Sequence, residues 1–399
     1  MTILVVNSGS SSIKYQLFNM PNEQPLCSGL VERIGLDQSV ITHKVYVDGE
    51  EKVLRKNLEL ADHEQGLKEV AYLLTHPEAG VIEDPGEIAV VGHRVVHGGK
   101  EFAATTIIDS AVKEKIKSLF HLAPLHNPAN YLGIEVAEKI FTGARQVAVF
   151  DTAFHQTMPP EAYLYAIPPS FNNELNIRAY GFHGTSHKFV SEKAIEYLGK
   201  AETKIITIHL GNGCSMAAVH NGRSIDTSMG FGPLSGLIMG TRSGDIDPSV
   251  IFHLVNQLGY DPEQVNALLN RRSGMQGLTG FSDMREIGKA VAEGNEAAML
   301  AVDLYAYRIK KYIGAYTAVL NGLDAVVFTA GVGENDGPTR LRICTGLTYL
   351  GIEPDAEKNG AKIGGLREIN KPNSRVKILV IPTNEELEIG KQCYALLSN

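Results

Sequence analysis

The chain alternates short apolar runs with glycine-rich polar turns. Near the N-terminus Ile3-Leu4-Val5-Val6 leads into Asn7-Ser8-Gly9-Ser10-Ser11-Ser12-Ile13-Lys14, and residues 1–18 are expected to form a β-hairpin. Alternation between Val31 and Val53, broken at Asp48-Gly49, predicts further strands joined by a tight turn. A helix is expected over Glu64–Leu74. Ile88–Val91 reads as a short buried strand feeding the turn Gly92-His93-Arg94-Val95-Val96-His97-Gly98-Gly99. Helices follow over Ser110–Phe120 and from Asn127 to Ile140, the second with Asn127 as N-cap and Pro128 at the first helical position. The strand Gln146–Phe150 carries Asp151 at its C-terminal end.

The second half repeats the plan. A strand–turn–strand unit stands at 204–220, where Ile205-Ile206-Thr207-Ile208-His209-Leu210 runs into Gly211-Asn212-Gly213. Helices are predicted at about 248–258, 262–270 and 296–320. The strand Ala325–Phe328 ends in Thr329-Ala330-Gly331-Val332-Gly333-Glu334-Asn335, and the last strand is Lys377–Ile381. Thr383 and Glu386 have capping-box spacing, so a helix closes the chain. In both hairpins a polar residue follows the strand (Asn7, His209) and a glycine comes two later (Gly9, Gly211). Small residues let backbone N–H groups crowd around an oxyanion, so each turn is a candidate phosphate cradle. The expectation is a duplicated α/β fold whose two cradles close on one polyphosphate.

Composition narrows the class. With 399 residues the chain is long enough for two ordinary domains. Hydrophobic content of 44% and charged content of 21% are those of a soluble globular protein. A net charge of −8 argues against a nucleic-acid surface. Cys27, Cys214, Cys344 and Cys393 are scattered without paired spacing, which fits a reducing compartment and not a zinc site or disulfide framework. No apolar run approaches the roughly 20 residues of a membrane helix, and the N-terminus does not read as a leader. A cytoplasmic location is expected.

Three glycine-rich turns at strand ends (Gly9, Gly211–Gly213, Gly331–Gly333) point to ligand binding, because ligands of open α/β sheets sit beyond the strand C-termini. None matches a P-loop or a dinucleotide fingerprint. Arg94 and Arg242 stand in glycine-flanked turns, the second in Gly240-Thr241-Arg242-Ser243-Gly244-Asp245. A lone arginine is usually a solvated charge. Flanking glycines let a ligand approach, and two guanidinium forks can hold a small carboxylate and a migrating phosphoryl group. His126 and His183 each precede a helix; His183 has a glycine bracket suited to a ligand role, whereas His187 reads as a core histidine. Asp151 is either a strand-end cap or a positioned catalytic group. Glu385 is either a first-turn helix acid or, with Asn7, an oxygen ligand for Mg²⁺.

At these residues the chain resembles the acetate and propionate kinase family. The matching segments include Asn7–Lys14, Gly92–Gly99, Ala123–Pro128, Val149–Met158, Gly181–His187, His209–Gly213, Met239–Asp245, Phe328–Asn335 and Pro382–Glu386, in family order across almost the whole chain. Ser8 and Ala330 are mild departures. The resemblance implies an α/β fold of two duplicated actin-like, ribonuclease H-like domains, here 1–150 plus 383–399 and 151–382. It implies Mg²⁺, with Mn²⁺ as an alternative, on Asn7 and Glu385. ATP or ADP would lie on Lys14, on His209, Leu210, Gly211, Asn212 and Gly213, on Asp283, Met284 and Arg285, and on Gly331, Val332, Gly333, Glu334 and Asn335. Arg94 would bind the carboxylate. His183 and Arg242 would stabilise the transferring phosphoryl group, and Asp151 would be the essential carboxylate. Val96, Leu125, Phe182 and Pro233 would shape the acid pocket. A homodimer is expected from the family alone.

The implied reaction is direct transfer of the ATP γ-phosphoryl group to acetate, giving acetyl phosphate and ADP, with propionate kinase as the alternative. A partner-driven nucleotide switch is disfavoured by the two glycine-flanked arginines. A metal hydrolase is disfavoured because the histidines lack ligand spacing.

Overall fold

The structure, a computed structural model, describes every residue except Asp48 and Asn399. The chain forms two compact units, one of Met1–Phe154 with the segment from Asn384 onward, the other of His155–Thr383. In the first unit the described residues build an eight-stranded sheet from β1 (Thr2–Ser8), β2 (Ser12–Asn19), β3 (Pro25–Glu32), β4 (Ser39–Val47), β5 (Glu50–Leu58), β6 (Val90–Val95), β7 (Thr106–Ile107) and β8 (Arg145–Phe150). Its order is β5-β4-β3-β2-β1-β6-β8-β7, with β1, β6 and β8 parallel and the other neighbours antiparallel. Asp48, part of the expected turn between β4 and β5, lies outside the described residues.

In the second unit β9 (Lys204–Leu210), β10 (Cys214–His220), β11 (Arg223–Thr227), β12 (Ala325–Thr329), β13 (Arg367–Glu368) and β14 (Lys377–Val380) form a sheet of order β11-β10-β9-β12-β14-β13. Here β9, β12 and β14 are the parallel trio. The run β3-β2-β1-β6-β8 of the first unit and the run β11-β10-β9-β12-β14 of the second therefore share order and strand directions. This repeated plan is the duplicated α/β fold that the resemblance implies.

Both central strands, β1 and β9, are buried on both faces because helices cover each side. Ile3, Leu4, Val5 and Val6 are at most 1% exposed. Helix Glu385–Ser398 packs on β1 and β6 so closely that a Cβ on Gly92 would lie 2.8 Å from Cys393 Sγ. Helices His63–Leu74 and Asn127–Ile140 pack against one another, and Leu67, Val70, Val136 and Ala137 share one core with Leu4 and Val6.

Several local expectations are corrected. Arg94 does not lie in a turn: β6 continues through Gly92 and His93, paired with both β1 and β8, to Val95, and Arg94 stands opposite Val149 of β8. Strand β3 starts at Pro25, ahead of the alternation read from the sequence. Gly331–Asn335 is not a turn but most of a short helix, Ala330–Asn335, that follows β12 directly. The N-cap of helix Asn127–Ile140 is His126, whose side chain makes no capping bond to the helix, and not Asn127, whose amide is turned to the His97 backbone. Thr383 does not cap the last helix. Asn384 Oδ1 accepts from Leu387 N–H at 3.0 Å, while Thr383 Oγ1 accepts from Ser186 Oγ. β11 and the helices Gly274–Thr279 and Met284–Ala292 were not anticipated.

Candidate active site

In the first unit the C-terminal ends of the parallel strands converge, as the ligand rule for open sheets expects. Asn7 is near the end of β1, Arg94 near the end of β6, and Asp151 follows β8. Arg94 Nε donates to Asp151 Oδ2 at 2.9 Å, Nη2 donates to the same oxygen, and Nη1 donates to Asn7 Oδ1 at 3.4 Å. Asp151 is fully buried and Arg94 half-buried. Burial by itself disfavours the guanidinium charge, but the facing Asp151 and Glu385 outweigh it and raise the Arg94 pKa. Glu385 opens helix Glu385–Ser398. Withdrawal from water pushes its carboxyl up to about 7, opposed by Arg94 and assisted by the neighbouring Asp151 and Glu386 charges. Lys14 Nζ pairs with Glu386 Oε2 at 2.8 Å, and Glu386 Oε1 is buried with no hydrogen-bond partner. Val96, two residues past Arg94, is buried, whereas Leu125 is 60% exposed.

The second unit brings His183, His209 and Arg242 to the β9–β10 turn. His183 has φ 55°, an uncommon backbone for a residue with a Cβ, and precedes helix Gly184–Leu198. Its ring stacks on His209 with centroids 4.3 Å apart. A Cβ on Gly213 would lie 3.1 Å from Arg242 Nη2 and 3.4 Å from His183 Cε1, so glycine is what lets both side chains close over the turn. Arg242 Nη1 donates to Pro233 O at 2.6 Å. Behind His183 lies a buried relay: its Nδ1 is 2.9 Å from Ser215 Oγ, which is 2.7 Å from His187 Nε2, and His187 Nδ1 is 2.7 Å from Thr207 Oγ1. Burial, then the nearby His155 and His209, hold the His187 pKa well below its ordinary value, so it stays neutral. Phe182 is buried in this unit.

The same unit holds a cavity of about 830 Å³. Gly211 and Asn212 line it from the β9–β10 turn, Asp283, Met284 and Arg285 from the head of helix Met284–Ala292, and Gly331, Val332 and Asn335 from the helix after β12. Asp283 caps its helix, accepting from Arg285 N–H at 2.8 Å, and also grips the Arg285 guanidinium, which holds its carboxyl down at about 2. His209, Leu210, Gly213, Gly333 and Glu334 are not among the lining residues, and Leu210 is core. Lys14 belongs to the first unit. Sequence reasoning missed Met275, Tyr305 and Pro338 in the lining, and missed Arg340 behind it. Buried Arg340 donates to Gly333 O at 2.9 Å, and Arg367 donates to Glu334 O at 2.6 Å, so two cations hold the carbonyls of helix Ala330–Asn335. No motif marked either arginine.

The acetokinase family model matches residues 2–391. The chain belongs to the acetokinase family. An acetate kinase of Flavobacterium johnsoniae is 59% identical over 399 residues, covering 100% of both chains. One from Methanosarcina thermophila is 52% identical over 396 residues, covering 98% of this chain and 96% of that one. The crystal structure of Porphyromonas gingivalis acetate kinase matches with a TM-score of 0.92 at 45% identity over 99% of each chain. A propionate kinase from Francisella tularensis matches with a TM-score of 0.91 at 43% identity over 98% of each. Members of this family are phosphotransferases. Among the described residues no helix is long and apolar enough to cross a membrane.

Proposed function

We propose that this chain transfers the terminal phosphoryl group of ATP to acetate, forming acetyl phosphate and ADP, and runs the reverse reaction. The observation that carries the reading is the Arg94 fork, held charged and oriented by buried Asp151 beside buried Val96. A guanidinium so placed binds a small carboxylate. The nucleotide then belongs in the cavity lined by Gly211, Asn212, Asp283–Arg285, Gly331, Val332 and Asn335.

A carboxylic acid with a pKa of about 4 is ionised at neutral pH, so the acceptor needs no general base. The chemistry is positioning and charge neutralisation. Arg94 fixes the attacking carboxylate. His183 and Arg242 face the oxygens of the phosphoryl group, where charge shifts during transfer. Asp151 orients Arg94. Lys14, His209, Leu210, Gly213, Gly333 and Glu334 support the nucleotide side.

The residues also suit a divalent cation. Among the described residues no cluster of three His, Cys, Asp or Glu side chains could hold a metal. Mg²⁺ needs only one or two protein oxygens beside phosphates and waters, and Asn7 and Glu385 provide them. Glu386 Oε1 is buried without a hydrogen-bond partner, and burial raises the Glu385 carboxyl pKa despite the nearby Arg94, so a cation there would favour both carboxylates in their charged form. Held by Asn7 and Glu385, Mg²⁺ or Mn²⁺ would neutralise polyphosphate charge.

Val96 limits the room beyond Arg94, which favours acetate over propionate; Leu125, Phe182 and Pro233 complete the proposed acid pocket. The test is trapping of acyl phosphate as hydroxamate from ATP and acids of two to four carbons. Hydroxamate formation that is greatest with acetate supports the reading, and ADP release indifferent to added acid overturns it.

A further inference from the structure

Parallel pairing of β1 with β6 ends at Val6 and His93. Past that point the two strands carry Asn7 and Arg94, the residues that meet at their tips. The backbone groups beyond them are not left open. The Asn130 side chain, 3% exposed on helix Asn127–Ile140, reaches both strand ends. Its Nδ2 donates to Ser8 O at 2.7 Å, and its Oδ1 accepts from Val96 N–H at 3.0 Å. One amide thus replaces the ladder bonds that end when the strands part. A turn earlier, fully buried Asn127 does the same for one residue, accepting from His97 N–H and donating to His97 O, both at 3.0 Å. On the following turn, a Cβ at Gly133 would lie 2.3 Å from Ser8 Oγ, so the helix rests directly on the end of β1.

We propose that Asn130 is a positioning residue that sets the depth of the acid site, by tying the Val96 backbone to the end of β1 while Arg94 is held between them. It rests on the carboxylate phosphotransferase reading. Asn130 touches neither proposed substrate. It fixes where Val96 closes the pocket relative to Arg94, and so bears on both acid affinity and acid length. The residues that line the nucleotide cavity belong to the other unit, so nucleotide affinity should not follow.

The test compares Asn130→Ala, which removes both bonds, with Asn130→Asp, which keeps the volume and the acceptor for Val96 but turns a carboxylate toward the Ser8 carbonyl. Gly133→Ala approaches the same contact from the helix side and serves if the Asn130 variants do not fold. Loss of buried hydrogen bonds of this kind should raise the KM for acetate about tenfold. The ratio of propionate to acetate kcat/KM should shift severalfold, with the KM for ATP within about twofold of the parent. Faster amide exchange at Val96 should accompany it. A fall in melting temperature with acetate KM and acid preference unchanged would overturn the proposal. So would equal rises in the KM values for acetate and ATP. If the parent chain itself makes no acyl phosphate, the functional reading fails first and the role of Asn130 with it.

Discussion

Arg94 gives two of its donors, Nε and Nη2, to a single oxygen of Asp151. The two residues sit on neighbouring parallel strands, β6 and just past β8, at the end of the sheet where ligands bind. On the proposed function, a carboxylate engaged in this way orients the guanidinium and is not a base for the acid. Asp151→Asn keeps the shape and removes the charge. It should lower kcat/KM for acetate by about 10²–10³, the size expected when one preorganised electrostatic contact is lost. The pH dependence of kcat should keep its shape. Steady-state kinetics between about pH 6 and 9 check this; the loss of one titrating limb would make Asp151 an acid–base group instead.

Val96 is buried two residues beyond Arg94. Val96→Ala should improve propionate relative to acetate by about tenfold in kcat/KM, within the 1–3 kcal/mol that one methylene is worth in an apolar pocket. Kinetics with both acids decide it, and an unchanged ratio would remove Val96 from the pocket.

Ser215 is shared between His183 and neutral His187. A neutral His187 can accept a hydrogen bond at Nε2 from the Ser215 hydroxyl, leaving Ser215 Oγ to accept from His183 Nδ1–H and fixing the ring orientation. Ser215→Ala should therefore reduce kcat about tenfold while the KM values for ATP and acetate stay within about twofold, and Ser215→Thr should restore most of the loss. Full kcat in Ser215→Ala would show that the relay does not serve the transfer.

Asp226, beside β10, has its carboxyl raised by burial from 3.8 to about 6, opposed by a hydrogen bond from Thr227 N–H. The folded state therefore binds its proton more tightly than the unfolded chain. That contribution is complete below about pH 4 and is lost as the pH rises through about 6. Asp226→Asn keeps the acceptor and carries no charge. A shift of this size corresponds to at most about 3 kcal/mol, and partial exposure lowers the expected gain to about 1–2 kcal/mol. Calorimetry should show the variant melting a few degrees higher at pH 8 and equal to the parent near pH 4. A gain that grows toward low pH would contradict the assignment.

The strand–turn units were legible because apolar runs followed by a polar residue and glycine are local signals. β1, β2, β9 and β10 all lie where the pattern put them. Arg94 was misread as a turn residue because Gly92-His93-Arg94 has loop composition. Pairing with β1 as far as His93 and with β8 through Val95 holds the strand, and those partners are far away in sequence. Helix Ala330–Asn335 was hidden by its glycines; arginines from further along the chain fasten it. No pattern in the sequence singles out Asn130 within its helix. Its meaning depends on the ends of two strands that the sequence keeps far apart.

The proposed function stands on phosphoryl transfer from ATP to the carboxylate bound at Arg94. Phosphorus-31 NMR of the chain with ATP, Mg²⁺ and acetate tests it most directly. The γ-phosphorus signal should convert to an acyl phosphate signal with equal formation of ADP, only when acetate is present, and Arg94→Gln should slow the conversion by at least about 10². Inorganic phosphate released at the same rate without acetate, or AMP and pyrophosphate as products, would contradict it.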